Sequence, residues 1–383
     1  MLNLDANASY GVLPEVREAL AKLDSEALNP SSVHSAGQRA RAVLDEARLK
    51  ILNLVGAGRD DRLIFTSGAT EANNMAILSN LWPRLTSGAS SIDLAVSSIE
   101  HPSVMEPARR LHACGASLHI IQLALPCRAS EIAENIPEST EFVSIMLANN
   151  ETGHILPIAE ISAILRRRCP RAIIHCDAAQ AAGKIPVDFK TLGVDMLSLS
   201  AHKLGGLTGS GALLLRKGVS LDPFMMGGPQ EGRLRAGTEN LSGIFAFGLA
   251  ADIAARELPL RQKAWSASTE CLKNGLTGSL ERIHFNCQTD DSLPNTVSLS
   301  IADVPADDLV VALDLEGVLV SSGSACSSGK PEPSQTLLAL GLSKKEAKET
   351  IRLSSTGELT LPQAEEAVLK IIKCVKRIRG NRI

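Results

Sequence analysis

The sequence predicts an α/β chain in two parts: a large domain built on a mostly parallel sheet flanked by helices, and a smaller α+β domain formed by the C-terminal third. Three observations carry this expectation. Short apolar runs alternate with longer stretches of helical periodicity. Several of the apolar runs end in polar residues capable of chemistry. Past about residue 255 the alternation changes character. At 383 residues with 44% hydrophobic content, the chain can bury a large core, and 3% aromatic content leaves that core to Leu, Ile, Val and Ala.

Taken in order, Ala40, Val43, Leu44, Ala47 and Ile51 recur at helical spacing on one face, as an amphipathic helix requires. Leu63–Phe65, Leu94–Val96, Phe142–Leu147, Ala172–Ile174 and Leu197–Leu199 read as buried strands. Helical stretches between them imply right-handed crossovers. Next come a charged helical stretch, a strand from Thr296 to Ile301, a helix across Ala306–Leu315 and a strand at Val318–Val320. Ser343 and Thr360 read as N-caps of two later helices, with Pro362 in the first turn of the last one. That helix gathers Ala367, Val368, Ile371, Ile372 and Val375 on one side and leaves its Lys and Arg residues as a solvated face.

Composition excludes several function classes. A net charge of −3 offers no polyanion-binding field, so no direct nucleic-acid role is expected. No uninterrupted apolar stretch reaches the roughly 20 residues needed to span a bilayer. The opening Met1-Leu-Asn-Leu-Asp5 lacks the charged and apolar regions of a signal peptide. Eight scattered cysteines show neither a disulfide framework nor metal-ligand spacing, so no metal is expected and a reducing cytoplasm suits them.

The chemistry centres on Lys203, where the apolar run from Met196 ends in Ser200-Ala-His202-Lys203 and enters a glycine-rich turn. A lysine at a strand mouth becomes a Schiff-base nucleophile when burial or nearby positive charge disfavours its ammonium form. Three upstream segments share this layout. Arg62-Leu-Ile-Phe-Thr-Ser-Gly68 turns into a helix whose N-terminus, at Ala69 and Thr70, favours a phosphate. Leu94-Ala-Val-Ser-Ser-Ile-Glu-His101 delivers a histidine, and Ala172-Ile-Ile-His-Cys-Asp177 delivers a carboxylate followed by Gln180. In an open parallel sheet, ligands bind outside the carboxyl ends of the strands, so all four segments converge on one crevice. A phosphorylated pyridine aldehyde matches them. Its ring nitrogen takes a buried carboxylate, Asp177; its phenolate takes a donor, Gln180; its face takes an aromatic partner, His101, which also moves protons near neutral pH. Its phosphate takes Thr70, Ser200 and His202. Singly, each residue also has a plainer reading: Asp177 as a helix N-cap, His101 as a satisfied buried histidine, Thr70 as a cap.

The chain resembles the class V aminotransferase family of fold-type I pyridoxal-phosphate enzymes, and within it the cysteine desulfurases of the NifS/IscS kind. The likeness is carried by Leu4-Asp-Ala-Asn-Ala-Ser9, Asn29-Pro-Ser-Ser-Val-His34, Thr66-Ser-Gly-Ala-Thr-Glu-Ala-Asn-Asn74, Glu100-His-Pro-Ser-Val104, Asn149-Asn-Glu-Thr-Gly153, Asp177-Ala-Ala-Gln180, Ser200-Ala-His-Lys203, Arg235-Ala-Gly-Thr-Glu-Asn240 and Ser322-Gly-Ser-Ala-Cys-Ser327. It implies that Lys203 carries the cofactor, that Asp177 holds the ring nitrogen and Gln180 the ring oxygen, and that His101 stacks on the ring and relays protons. Ala69, Thr70, Ser200 and His202 would hold the phosphate, joined in a homodimer by Thr238 across the subunit boundary. Asn149 and Arg352 would hold the carboxylate of L-cysteine. The resemblance also sets the domains at 13–255, and at 256–383 with 1–12.

Cys326 selects the reaction. It lies in Val320-Ser-Ser-Gly-Ser-Ala-Cys-Ser-Ser-Gly-Lys330, whose composition is that of an exposed loop, with Lys330 as a local cation. The expected reaction converts L-cysteine to L-alanine and leaves the sulfur on Cys326 as a persulfide for an acceptor protein, in iron–sulfur cluster assembly or thiolation. A selenocysteine lyase, a β-lyase or a transaminase on the same scaffold would not need Cys326. A sulfur-relay subunit without turnover would not need the intact lysine set. The chain departs from the family pattern at Ala6 and Ser9, at His154, and after Lys203, where a Pro-Lys or Pro-Arg pair is usual.

Overall fold

The computed structural model describes residues 1–23, 29–88, 92–123, 125–287, 291–323 and 332–380, and the statements below concern these residues. The chain forms two compact units. The larger comprises Gly11–Leu147 and Leu156–Arg256; the smaller comprises Met1–Tyr10, Ala148–Ile155 and Glu257–Ile383.

The first strand, β1 (Leu2–Asn3), belongs to the smaller unit. The larger unit holds β2 (Arg62–Thr66), β3 (Asp93–Ser97), β4 (Ser117–Ile121), β5 (Phe142–Ser144), β6 (Ile173–Asp177), β7 (Met196–Ser200) and β8 (Gly211–Leu215). They form one seven-stranded sheet in the order β2-β8-β7-β6-β5-β3-β4. Every pairing is parallel except those of β8, which runs against both β2 and β7. The parallel strands are joined through helices, as the alternation of periods in the sequence requires. Helix Ala69–Thr86 follows β2 and helix Pro102–Ala113 follows β3; their buried faces close over one side of the sheet in a core containing Met75, Ile77, Leu94, Val104 and Leu111. The helix expected from Ala40 to Ile51 spans Ser35–Leu54, with Ala40, Leu44, Ala47 and Ile51 buried.

The expected strands all form, most with ends moved by a residue at most; the run to Leu147 stops as a strand at Ser144, and the run expected to end at Ile174 continues to Asp177. In the larger unit, two strands escaped the sequence reading, as β1 and two further short strands, Ile283–Phe285 and Thr350–Ser354, did in the smaller. β4 is an edge strand, and only Ile121 of its residues is buried, which hides the apolar signal. β8 follows β7 with no intervening helix, so the alternation that marks its neighbours is missing.

In the smaller unit, β10 (Thr296–Ile301) pairs antiparallel with both β9 (Ile283–Phe285) and β12 (Thr350–Ser354), while β1 lies parallel to β11 (Val318–Leu319). Helices Ala306–Leu315 and Leu361–Gly380 bury Leu309, Leu313, Ala367, Ile371 and Val375 in its core. Ser343 caps helix Lys344–Lys348 with a full capping box to Glu346. Residues 148–155 fall within the expected 13–255 domain, yet they pack with the smaller unit. The cause is hydrogen bonding: Ile155 N donates to Asp291 O at 2.9 Å, and Leu293 N donates to Gly153 O at 2.8 Å. None of the helices is long and apolar enough to cross a membrane.

Two features generate measurable consequences. Gly248, in helix Leu241–Thr277, packs directly on helix Ser35–Leu54: a Cβ there would lie 2.5 Å from the Cα of Ala47. Gly248→Ala is expected to destabilise the fold by about 1–3 kcal/mol through overpacking, read as a lower urea midpoint at unchanged m-value.

Glu100 is fully buried just beyond β3, where its Oε1 accepts from Met146 N at 2.7 Å and from Ser97 Oγ. Burial raises its pKa from 4.5 to about 8, opposed by those hydrogen bonds. The folded state therefore keeps a proton that the unfolded chain releases. The contribution of this group to stability is greatest below about pH 4.5 and is lost as pH rises through about 8. Glu100→Gln should flatten the pH dependence of urea stability across that interval; a slope identical to the parent's would refute the assignment.

Candidate active site

The larger unit places its chemically capable residues at the carboxyl ends of neighbouring parallel strands. Asp177 is the last residue of β6, Ser200 the last of β7, and His101 follows β3 at the N-cap of helix Pro102–Ala113. Ala69 opens the helix that follows β2. Lys203 closes a one-turn 3-10 helix, Ala201–Lys203, which turns the chain from β7 toward β8. These positions follow from the topology, because parallel strands present all their carboxyl ends on one edge.

Hydrogen bonds join the segments. Asp177 is buried, and its carboxylate accepts from Ala179 N at 2.9 Å and from Asn73 Nδ2 at 2.7 Å. Asn73 lies one helical turn beyond Thr70, so this bond docks the helix start against the end of β6. His101 lies within the fields of both Asp177 and Lys203. Burial depresses its pKa and the Lys203 charge adds to that, while Asp177 opposes them. His202 is pushed down to about 4 by burial, then by Lys203 and Lys184. Both shifts favour the neutral imidazole.

Gln180 is buried, and its Oε1 accepts from the buried Lys184 Nζ at 2.6 Å. Since an ammonium only donates, this bond fixes the amide with its oxygen toward Lys184 and its Nε2 as the donor end. Ser200 Oγ is buried with no hydrogen-bond partner among the described residues. Gly68 precedes Ala69 at φ 159° and lacks a side-chain cap, so the first-turn N–H groups of the helix have none. Gly211 of β8 packs against it: a Cβ there would lie 2.5 Å from Gly68 Cα, a contact only glycine allows.

This donor and acceptor set fits pyridoxal phosphate. The orphaned Ser200 hydroxyl and the uncapped N-terminus at Ala69 and Thr70 suit a phosphate. The hydrogen-bonded Asp177 carboxylate suits a protonated ring nitrogen, and the Nε2 hydrogens of Gln180 suit a ring oxygen.

The remaining expected residues lie elsewhere. Thr238 is exposed on the larger unit, three residues past Arg235, which pairs with Glu71 at 2.8 Å. Asn149 and Arg352 belong to the smaller unit. Asn149 Oδ1 accepts from the backbone N–H groups of Glu151 and Thr152, both at 2.9 Å, so this oxygen shapes the turn. The Arg352 guanidinium is buried; it pairs with Asp5 at 2.6 Å and donates to Asn150 O at 2.9 Å. Its Nε has no hydrogen-bond partner among the described residues. Ala6 is fully buried, and His154 is buried with its pKa depressed by burial, against Asp291. Cys326 and Lys330 lie outside the described residues. Among the described cysteines, Cys176 is the most perturbed, its thiol pushed well up by burial. The described residues contain no cluster of metal-ligating side chains.

Sequence reasoning gave no role to Asn73, Ser103 or Lys184. The spacing held partial signals: Asn73 sits at i+3 from Thr70, Lys184 at i+4 from Gln180, and Ser103 two residues after His101. The amide and hydroxyl types alone did not declare which polar group they would satisfy.

Comparison with known proteins places this geometry in a family. The aminotransferase class-V family model matches residues 2–360. A cysteine desulfurase, IscS 1 of Archaeoglobus fulgidus, is 38% identical over 360 residues, covering 92% of this chain and 91% of the relative. Among solved structures, a NifS-like protein superposes with a TM-score of 0.90 at 30% identity, covering 98% of this chain and 99% of the other. SspA, solved in complex with cysteine, matches with a TM-score of 0.79 at 29% identity over 93% of this chain and 99% of its own. With a matched model along nearly its whole length and relatives above 30% identity, this chain belongs to the aminotransferase class-V family.

Proposed function

We propose that this chain is a pyridoxal-phosphate-dependent cysteine desulfurase, which takes the sulfur of L-cysteine onto Cys326 as a persulfide, releases L-alanine and passes the sulfur to an acceptor protein. The observation that carries the reading is the joint arrangement of Lys203, Asp177, Gln180 and His101 at the strand ends of one sheet, in a chain whose relatives are named cysteine desulfurases. Bound pyridoxal phosphate supplies the electron sink that stabilises negative charge at the substrate Cα.

The protein's own groups then divide the work. Lys203 would hold the cofactor and, with its amine free, would be the base for the Cα proton. Asp177, held by Asn73 and Ala179 N, keeps the ring nitrogen protonated. Gln180 would donate through its Nε2, the amide oxygen being held by Lys184. His101 covers the ring face. Ala69, Thr70, Ser200 and neutral His202 hold the phosphate, and Thr238 of a second copy completes that cradle in a homodimer. Asn149 and Arg352 take the substrate carboxylate; two anchors fix the Arg352 guanidinium and leave its Nε as a donor. Cys326, as the thiolate, would attack the substrate sulfur; the S–S bond forms as the substrate C–S bond breaks, and the carbon fragment keeps that electron pair, takes a proton and leaves as L-alanine. The acceptor serves iron–sulfur cluster assembly or thiolation, in the cytoplasm.

Alanine and sulfide release from L-cysteine with a reductant tests the reading. Cys326→Ser should retain the near-visible absorbance of the cofactor and lose sulfur release by at least about 10²-fold. Equal activity in parent and variant would replace the desulfurase with a lyase that expels sulfur without a protein thiol. Lys203→Ala should lose the near-visible band; an unchanged spectrum would remove Lys203 from its role.

A further inference from the structure

The side chains behind His101 form a directed chain. Its Nδ1 accepts the Ser103 backbone N–H at 3.1 Å, and Ser103 Oγ lies 2.7 Å from the same nitrogen. Ser103 Oγ accepts from Asn73 Nδ2 at 2.8 Å, and the same amide nitrogen donates to Asp177 Oδ2 at 2.7 Å. An amide nitrogen carries two hydrogens and accepts nothing, so both Asn73 bonds point outward. The Ser103 hydroxyl, having accepted one of them, has its own hydrogen available for Nδ1. That nitrogen already receives the backbone N–H and so carries no proton. Asn73 and Ser103 are buried, which keeps water from substituting for either bond.

We propose that Asn73 and Ser103 are positioning residues that lock His101 as the neutral tautomer with its hydrogen on Nε2, so that it lies over the ring as a fixed neutral imidazole and not as a proton shuttle. The inference rests on the reading of this site as the cofactor site, and it revises the proton-relay role expected from the resemblance. Nε2 already bears its hydrogen, so a proton could enter only at Nδ1. There it would break two hydrogen bonds and face two donors, in a buried setting where such losses are costly. The charged groups acting on the ring, Asp177 and Lys203, oppose each other. Proton traffic at the substrate therefore falls to Lys203.

Holoenzyme carrying 15N-labelled histidine, read by long-range 1H–15N correlation, tests this directly. The His101 signals are assigned by their absence in His101→Gln. The expected parent pattern is an unprotonated Nδ1 and a protonated Nε2, unchanged between about pH 5 and 8. Ser103→Ala fits the same space and removes the hydroxyl donor but keeps the backbone N–H; protonation at Nδ1 then breaks one hydrogen bond in place of two, so the ring should begin to titrate within that range, and Ser103→Thr should restore the parent pattern. A parent His101 that titrates there, or that carries its proton on Nδ1, overturns the proposal, as does a Ser103→Ala spectrum identical to the parent's. The near-visible absorbance of the same samples reports cofactor binding separately, so failure of the cofactor reading is distinguishable from failure of the tautomer lock.

Discussion

A buried carboxylate must be hydrogen-bonded or lose its charge, and the placement of Asp177 imposes that constraint on the larger unit. The strand that carries it is buried along nearly its whole length, so the carboxylate cannot reach bulk water. It is satisfied by the backbone of Ala179 and by Asn73, brought from another strand–helix junction. That second bond has consequences beyond Asp177. It fixes the rotation of helix Ala69–Thr86 about its own axis, and with it the direction in which the uncapped N–H groups face. The other Asn73 hydrogen reaches Ser103, and from there His101. One amide thus holds together the ends of three strand–helix junctions, and removing it would leave several partners unsatisfied at once.

The smaller unit solves a related problem with opposite charge. Arg352 is held on β12 with its guanidinium buried, and Asp5, just beyond β1, supplies the counter-ion. Burying an arginine without such a partner is prohibitive, and with it the pair costs little net energy while fixing the direction of the remaining donor. The Asn150 carbonyl adds a second anchor. The turn that supplies this carbonyl is the segment from Ala148 to Ile155, which explains why a short piece of chain from the middle of the sequence packs with the C-terminal third.

Much of this was legible in the sequence because parallel strands are buried on both faces and announce themselves as short apolar runs. Polar residues at their ends then stand out, as Asp177 and Lys203 did. Of the strands that escaped, β4 and β8 of the larger unit lack one or other of those signals: one is an exposed edge and the other is antiparallel with no crossover helix. The boundary at residues 148–155 escaped for a different reason. Its backbone bonds to Asp291 and Leu293, far along the chain, and no local pattern encodes a pairing of that span. The supporting residues were hidden because Asn73, Ser103 and Lys184 matter through the partner each meets in three dimensions. Their residue types also suit an exposed helix face or a plain cap.

The antiparallel course of β8 has a consequence for how the lysine segment is held. Ser200 pairs with Gly211, and the Ala201 N–H bonds back to Ser210 O, so the stretch bearing His202 and Lys203 is a short loop closed at its base by its own ladder. Closing so short a loop costs little chain entropy, and its contacts are among the most local in a sheet otherwise assembled across long crossovers. The reactive amine therefore rides on a hairpin tip held from two sides: by the ladder at its base and by outside contacts, Leu13 N donating to Gly205 O at 2.9 Å and Asn240 Nδ2 to Gly209 O at 3.1 Å. Only Thr208 and Gly209 of this tip are exposed. The stretch Gly206-Leu-Thr-Gly-Ser-Gly211, which stands in place of the charged pair usual in its family, is thus partly walled in, and Gly205 meets Leu13 where a Cβ would lie 2.5 Å away.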